Sequence, residues 1–336
     1  MILGMELSFI WAGIIAFAVL TYVILDGFDL GIGILFPFAK SERDRATMMN
    51  SIAPIWDGNE TWLVMGGGGL FAVFPLAYAI IMPALYMPII LMLLALIFRG
   101  VAFEYRWRNE AWKPFWDLAF FGGSITAAFM QGIALGALVQ GIEVADRAYV
   151  GGWWDWLSVF SVLTGLAVVV GYGLLGATWL IMKTEDHLQR QMQGYAWFLA
   201  VGTLAFIGLV SVLTPFQDPV YFSRWFNLPG SAFSVIMPVL VAITTWALFA
   251  GLNAGRDAQP FFASLGLFVL SFIGIAISFY PNIIPPSLTI VEAAAPDSSL
   301  KFALVGTVVL VPLILGYTAY AYWVFRGKVD PDEGYP

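Results

Sequence analysis

Long apolar runs alternate with short polar segments along the whole chain of 336 residues. Runs of about 20 residues match a helix that crosses the hydrocarbon core of a bilayer, whereas the short alternating segments of a membrane β-barrel do not occur. The pattern predicts an all-α membrane protein, a single polytopic domain (1–336) of about nine transmembrane helices. The predicted spans are residues 8–37, 52–76, 80–103, 116–140, 155–183, 193–213, 231–253, 259–280 and 301–326.

The boundary between the second and third spans is not visible in the hydropathy pattern, because residues 62–98 are almost continuously apolar. A single helix over this segment would be about 55 Å long, against a hydrocarbon core of about 30 Å. Pro75, Pro83 and Pro88 offer places for the chain to turn. Length therefore favours two helices.

The distribution of basic residues tests this division independently. With nine spans, 12 of the 15 lysines and arginines fall in loops on one side, whereas merging the second and third spans removes the bias. Basic loops face the cytoplasm in most membrane proteins. We therefore expect nine spans, with a periplasmic N-terminus and a cytoplasmic C-terminus.

The composition excludes several classes of protein. Hydrophobic residues make up 60% of the chain and charged residues 11%, whereas a soluble domain carries about 25% charged residues. No cysteine is present, which excludes disulfides and thiolate metal sites, and no basic surface suits nucleic acid. His187 is the single histidine and is expected in a solvated loop, so we expect no metal site and no haem held by this chain alone.

The first candidate site lies in span 1, within the motif DGFDLGIG. Asp26 and Asp29 are three residues apart and should share one helix face. Acids inside a membrane are costly and normally face a partner charge, water or a pathway. The glycines of the motif would permit close approach of another helix. The alternative is an acid pair neutralised by arginines such as Arg43 or Arg99.

The second motif, NSIAPIWDGNETWL, begins span 2. Asp57 and Glu60 are again three residues apart. Asp57 is compatible with a helix N-cap or with a proton-carrying role, because the helix that follows must enter lipid. The four glycines of 66–69 indicate tight packing against a neighbouring helix.

The third motif, FRGVAFEYR, ends span 3. Arg99 and Glu104 are five residues apart, so each should meet an opposite charge on another helix. The acids and the arginine of the three motifs all map to the cytoplasmic half of the bundle, as a proton route would require. The alternative is a purely structural cluster of salt bridges.

The three motifs, in this order and spacing, resemble the signature of the cytochrome bd-type quinol oxidase subunit II family. The later segments YPNIIPPSLTI and PLILGYTAYAYW resemble the C-terminal half of the same family. The resemblance therefore covers essentially the whole chain. The compact form of FRGVAFEYR is similar to the cyanide-insensitive branch.

This resemblance implies a haem-free subunit of a heterodimer in the bacterial cytoplasmic (inner) membrane. Such oxidases couple quinol oxidation to oxygen reduction to water and take protons from the cytoplasm, which generates proton-motive force. Subunit I holds the b-type haems, haem d and the quinol site, while subunit II stabilises subunit I and contributes part of the proton path. The sequence leaves open a structural quinone in this subunit and a small single-helix third subunit.

The resemblance also implies roles for individual residues. Asp57 would be the central proton relay, with Glu104 nearer the cytoplasmic entrance and Arg108 keeping that entrance positive. Some family members carry Asp and Lys at the last two positions. Trp62 would line the subunit interface or an oxygen path. No catalytic residue is expected in this chain.

Two other functions compete with this interpretation. Acids in helices, together with many glycines and prolines, are also compatible with a stand-alone proton-coupled transporter. Against a transporter stand the missing inverted repeat and the restriction of the acids to one half of the bundle. The third hypothesis is a scaffold in the same oxidase, with the acids neutralised in ion pairs.

Overall fold

The computed structural model describes residues 6–108, 110–227 and 230–330. Within these ranges the chain is dominated by helices. They are α1 (Leu7–Leu35), α2 (Glu42–Asn50), α3 (Trp56–Val73), α4 (Pro75–Ala84), α5 (Tyr86–Tyr105), α6 (Lys113–Gln140), α7 (Val159–Lys183), α8 (Asp186–Leu213), α9 (Pro219–Phe226), α10 (Gly230–Asn253), α11 (Gln259–Phe279), α12 (Ile290–Ala293) and α13 (Asp297–Val324).

Eight helices of the described ranges are long and apolar enough to cross a membrane, and these are α1, α5, α6, α7, α8, α10, α11 and α13. The predicted polytopic helical architecture is confirmed. The predicted second span, α3, is not among the eight. Its 18 residues include the polar stretch 57–61 and the four glycines of 66–69, which lower its apolar content.

The break between the second and third spans falls at two places. Helix α3 ends at Val73, and Pro75 begins the 10-residue helix α4, which ends before α5 begins at Tyr86. Proline at the first helical position needs no partner for its missing N–H, so Pro75 begins a helix instead of breaking one. The predicted boundaries 76 and 80 are therefore corrected to a short separate helix between two longer ones.

Helix α3 begins at Trp56 instead of 52 and α6 at Lys113 instead of 116, and the starts of α7, α8 and α13 also differ from the prediction. Helix α7 begins at Val159 instead of 155, because Ser158 and Ser161 form a capping box there. Helix α8 begins at Asp186 instead of 193, only three residues after α7 ends. His187 is therefore in the first turn of α8 and not in a loop, although it is exposed as expected. Helix α13 begins at Asp297, four residues earlier than predicted.

The long loops of the prediction contain small elements of their own. Strands β1 (Val144–Ala145) and β2 (Ala148–Tyr149) form one antiparallel hairpin, and β3 (Asn282–Ile284) and β4 (Leu288–Thr289) form another. The purely α-helical prediction thus holds for the bundle and not for these connections. Helix α4 packs against β2 and β3, so we call this side of the bundle the hairpin end.

The side chains pack into one main core at each end. At the hairpin end, Trp11 of α1 donates from Nε1 to the carbonyl oxygen of Leu300 over 3.0 Å. At the opposite end, which we call the α2 end, Phe28 of α1 stacks on Trp179 of α7 with ring centres 4.2 Å apart. Helix α1 therefore runs through the bundle and contributes to both cores.

Glycines allow α1 to approach its neighbours closely. A Cβ on Gly31 would overlap the carbonyl oxygen of Tyr172, and Gly176 of α7 faces the same contact from the other side. A Cβ on Gly69 of α3 would lie 2.5 Å from the Ile15 side chain. The predicted tight packing is confirmed at these positions, whereas Gly67 and its neighbour Gly68 face open space. Close approach brings the acids of α1 next to α3 and α7.

Candidate functional site

The centre of the candidate site is Arg99, which is fully buried in α5. Its Nη1 donates to Oε1 of Glu60 over 2.7 Å and lies 3.5 Å from Oδ1 of Asp26. Asp26 is completely buried, and the side chain of Glu60 is 25% exposed. Three helices thus meet at one guanidinium group. Of the two arginines considered for the acids of span 1, Arg99 is the one that pairs with Asp26.

Asp29 lies in a separate branch of this cluster. Asn59 of α3 donates from Nδ2 to Oδ2 of Asp29 over 2.7 Å, and the hydroxyl of Tyr322 donates to Oδ1 of Asn59 over 3.0 Å. Asp29 is fully buried. Tyr322 of α13 is half-buried and bound to the cluster. The two aspartates share a helix face, as predicted, and reach different partners.

A hydrogen-bonded group of polar side chains beside this cluster was missed by sequence analysis. The hydroxyl of Tyr172 donates to Oε1 of Gln131 over 2.7 Å, and Nε2 of Gln131 donates to the hydroxyl of Tyr22 over 2.8 Å. Tyr22 is one turn before Asp26 on α1. The available signal was Gln131, a polar amide in the apolar run of α6, because polar groups inside a membrane usually have a partner there.

Asp57 and Glu104 lie at the surface of this chain beside the buried cluster. Both side chains are exposed. Trp56 and Phe103, the residues directly before them, stack with ring centres 4.7 Å apart. The guanidinium group of Arg99 lies 5.9 Å from the centre of the first ring and 5.6 Å from the second. The structure therefore brings both exposed acids to the edge of the Arg99 cluster.

The N-cap interpretation of Asp57 is wrong. The N-cap of α3 is Ile55, and no side chain caps this end. Asp57 is in the first turn, where a carboxylate still interacts favourably with the helix dipole. Glu104 was expected to meet a basic group on another helix, whereas its side chain is exposed on this chain.

Arg108 and Trp62 occupy different surroundings. Arg108 is exposed, and its guanidinium lies 5.4 Å from the ring centre of Tyr105. Trp62 is 0% exposed and packs against Ala18 and Tyr22, with its ring edge-on to Phe17 at 5.8 Å. A partner chain can contact only exposed atoms, so this burial does not support the interface role, and the oxygen-path role stays a prediction.

A second buried arginine, Arg106, was also missed, because sequence analysis counted it among the loop charges. It donates from Nη2 to Glu42 over 2.7 Å and from Nε to Asp117 over 2.6 Å. The side chain of Glu42 is 49% exposed and that of Asp117 is 21% exposed. Lys113 adds a further cation 3.5 Å from Glu42. This cluster joins α2, the end of α5 and α6.

The described part of the chain holds no group of three or more His, Cys, Asp or Glu side chains that could bind a metal ion. His187 is exposed, so its imidazole does not lie in a buried pocket. The location of all the haems in the partner subunit stays a prediction.

The model of the cytochrome bd terminal oxidase subunit II family matches residues 7–325. The chain belongs to that family. It is therefore a subunit of a respiratory cytochrome bd oxidase and a multi-pass protein of the bacterial membrane. This assignment replaces the alternative of a stand-alone transporter.

Relatives of this subunit II span its full length. The cytochrome bd-I ubiquinol oxidase subunit 2 of Escherichia coli (strain K12) is 31% identical, over 97% of this chain and 96% of the relative. The cytochrome bd ubiquinol oxidase subunit 2 of Bacillus subtilis (strain 168) is 29% identical, over 96% of this chain and 97% of the relative. A chain in the structure of bd oxidase from Geobacillus thermodenitrificans has the same fold, with a TM-score of 0.79 at 18% identity, over 96% of this chain and 99% of that chain.

Proposed function

We propose that this subunit II carries protons from the cytoplasm towards a haem-bearing subunit I, where quinol oxidation reduces oxygen to water. The observation that carries the proposal is the complete burial of Asp26 and Asp29 beside Arg99. Buried carboxyl groups are expensive to maintain in a membrane protein and typically mark pathways.

The route begins at the surface of the α2 end. Glu104 and Arg108 are exposed there, within one turn of the end of α5, and Asp57 is exposed at the start of α3. Glu60, one turn after Asp57, is partly exposed and contacts Arg99, which in turn faces Asp26. Side chains that decrease in exposure in this order provide a path from water to the interior. The cytoplasmic position of this end follows from its basic loops.

The charge balance of the cluster favours proton transfer over simple ion pairing. Two carboxyl groups, those of Asp26 and Glu60, contact the single guanidinium of Arg99, and the carboxyl group of Asp29 is buried in the next branch, one turn along α1 from Asp26. One cation compensates one negative charge, and an uncompensated buried charge is unfavourable. The cluster is therefore most stable when it holds protons, and such protons are available for transfer. A purely structural salt bridge would need only one of these acids.

The exposed faces of the chain are compatible with a partner subunit. Helix α13 carries large exposed side chains, including Phe302 at 84% and Val305 at 72%, whereas more than half of the apolar part of α7 is buried. Subunit I is the proposed occupant of the face next to Asp57, since a charged carboxylate on a membrane helix is more stable against protein than against lipid.

Replacement of Asp57 by Asn tests the proton route. Asp57→Asn should slow oxygen consumption by the purified complex by about tenfold, which is about 1.4 kcal/mol in the barrier, while haem content stays normal. Asp297→Asn is the matched control, because Asp297 is also exposed in the first turn of a helix but lies at the hairpin end. Full activity of Asp57→Asn would remove this residue from the route, and loss of haem would indicate a role in assembly instead.

Co-purification tests the partner. A detergent extract should contain this chain together with a second polypeptide that carries haem absorbance, in a fixed ratio through gel filtration. A colourless chain that is stable and active alone would contradict the heterodimer. The prediction of cyanide insensitivity can be tested on the same preparation by titrating cyanide against oxygen consumption.

A further inference from the structure

We propose that the segment after α13, residues 325–329, is a C-terminal strap that positions the hydroxyl group of Tyr322 on Asn59, beside Asp29. Lys328 is the central residue of this strap. It acts through Tyr322, so it is a positioning residue and not a catalytic one. The inference goes beyond the proposed function, and only its measurement of oxygen consumption rests on the proton route.

Helix α13 makes little buried contact with the bundle along its length. In the described range 297–324, Leu300 is the one buried residue, and its carbonyl oxygen accepts the hydrogen bond of Trp11 at the hairpin end. None of the apolar stretch by which α13 qualifies as a span is buried. Towards the α2 end, Ala321 and Tyr322 are partly buried against the core. Packing within this chain therefore does little to fix the end of α13 that carries Tyr322.

The strap supplies polar contacts at that end. Helix α13 ends at Val324, and Gly327 has a φ of +100°, a conformation that favours glycine and lets the chain turn back towards α7. The backbone N–H of Val329 then donates to the carbonyl oxygen of Lys183 over 2.8 Å. The ammonium of Lys183 donates in turn to the carbonyl oxygen of Phe325. Reciprocal hydrogen bonds thus join the strap to the last residue of α7.

Lys328 extends this attachment to two connections between helices. Its ammonium donates to the carbonyl oxygens of Thr184 over 2.8 Å and Ile181 over 3.2 Å, at the end of α7, where the helix dipole favours a cation. It also lies 2.7 Å from Oδ2 of Asp257, in the connection between α10 and α11. Nε2 of Gln189 in α8 donates to the other oxygen of the same carboxylate over 2.8 Å. One lysine therefore ties the end of α13 to α7 and to the α10–α11 connection.

The last turn of α13 links the strap to the candidate site. The hydroxyl of Tyr322 donates to Oδ1 of Asn59 over 3.0 Å, and Nδ2 of Asn59 donates to Oδ2 of Asp29 over 2.7 Å. Asn59 is 1% exposed, so water does not replace a lost partner easily. Hydrogen bonds weaken steeply outside a narrow range of distance and angle. A displaced end of α13 would therefore leave a buried amide oxygen without its donor, which is unfavourable.

Hydrogen–deuterium exchange of the purified two-subunit complex tests the strap. In Lys328→Met, amide exchange over residues 318–326 should become about tenfold faster, because the strap no longer holds the last turns of α13. Exchange over residues 300–310, in the hairpin half of the same helix, should not change. Lys328→Arg should retain most of the protection, because it keeps the charge and several donors. Asp257→Asn should have a smaller effect, because the ion pair is partly exposed.

Lys301→Met is the matched control for this experiment. Lys301 is an exposed lysine of the same helix, but it lies at the hairpin end. Its replacement should leave exchange over residues 318–326 unchanged.

A double-mutant cycle with Tyr322→Phe tests the positioning of the hydroxyl group. Lys328→Met and Tyr322→Phe should each lower the thermal midpoint of the complex. Their combined loss should be smaller than the sum, because Lys328 acts through a hydroxyl group that the double variant lacks. Haem-normalised oxygen consumption should follow the same pattern, with Lys328→Met slowing the wild type by about threefold and not slowing Tyr322→Phe further. A merely structural role of Lys328 would give additive losses instead.

The outcomes separate the strap from the proton route. Unchanged exchange at the end of α13 in Lys328→Met overturns the strap. Faster exchange with additive losses in the cycle overturns the positioning of Tyr322. Faster exchange along the whole of α13, or an equal change in Lys301→Met, assigns the effect to general loosening and also overturns the proposal. Coupled thermal losses with normal oxygen consumption in both single variants support the strap and remove the Asn59 branch from the proton route.

Discussion

Two buried arginines near the α2 end of this protein have the same hydrogen-bonding capacity, but they contact acids that differ in their exposure. Arg99 and Arg106 are both 0% exposed, and each contacts two carboxyl groups. Asp26 beside Arg99 is completely buried, while Glu42 beside Arg106 is half exposed. Glu42 therefore retains contact with water, whereas the carboxyl group of Asp26 is surrounded by protein alone.

The comparison indicates that burial of the acid, more than burial of the arginine, distinguishes the candidate functional site from a structural cluster of salt bridges. Glu42 and Asp117 connect α2 and α6 to the end of α5 through Arg106, and Lys113 adds a second cation. In that cluster the charges are balanced and solvated. Around Arg99 the acids exceed the cation, which is the condition for storing and passing a proton.

The largest expected effect comes from removing the two arginines separately. Arg99→Gln leaves Asp26 buried without its cation, and breaking a buried pair in this way costs about 3–5 kcal/mol. Arg106→Gln should cost about 1–3 kcal/mol, because water can solvate its acids. The measurement is the thermal midpoint and yield of the complex in detergent. Equal decreases in thermal midpoint and yield in the two variants would contradict the distinction between the clusters.

A smaller effect is expected from neutralising one acid in each cluster. Glu60→Gln keeps a hydrogen-bond acceptor for Arg99 but removes the carboxyl group that the proposed route places between the surface and Asp26. Oxygen consumption should fall by about tenfold, whereas Glu42→Gln should leave it unchanged. Oxygen-electrode rates normalised to haem provide the comparison. If Glu42→Gln were slowed as strongly, the Arg106 cluster would also belong to the route.

The smallest effect concerns Lys113. Its ammonium lies 2.7 Å from Glu110, whose side chain is 85% exposed, and exposed ion pairs contribute about 0–1 kcal/mol. Lys113→Ala should therefore change the thermal midpoint little, and raising the salt concentration should abolish the difference. A change as large as that in Arg106→Gln would mean that Lys113 is essential to the cluster.

Local patterns in the chain identified the acids of the site but not the polar groups around them. Asp26, Asp29 and Glu60 are conspicuous, because ionisable residues are rare in apolar helices. Tyr22, Tyr172 and Tyr322 look like ordinary aromatic residues of membrane spans. Their hydrogen bonds depend on which faces of α1, α3, α6, α7 and α13 meet, and no short segment of sequence contains that information.

The apolar run lengths, the basic loops and the three motifs by themselves determined the polytopic helical architecture and the family. These features act within a single segment, where hydrophobic length decides whether a helix spans a bilayer. Only the tertiary structure decided that Arg99 pairs with Asp26 and Glu60, that Trp62 is buried inside the chain, and that Asp57 remains exposed. The physical reason is that burial and pairing depend on helix-to-helix distance, which close contacts such as that at Gly31 set across more than a hundred residues of sequence.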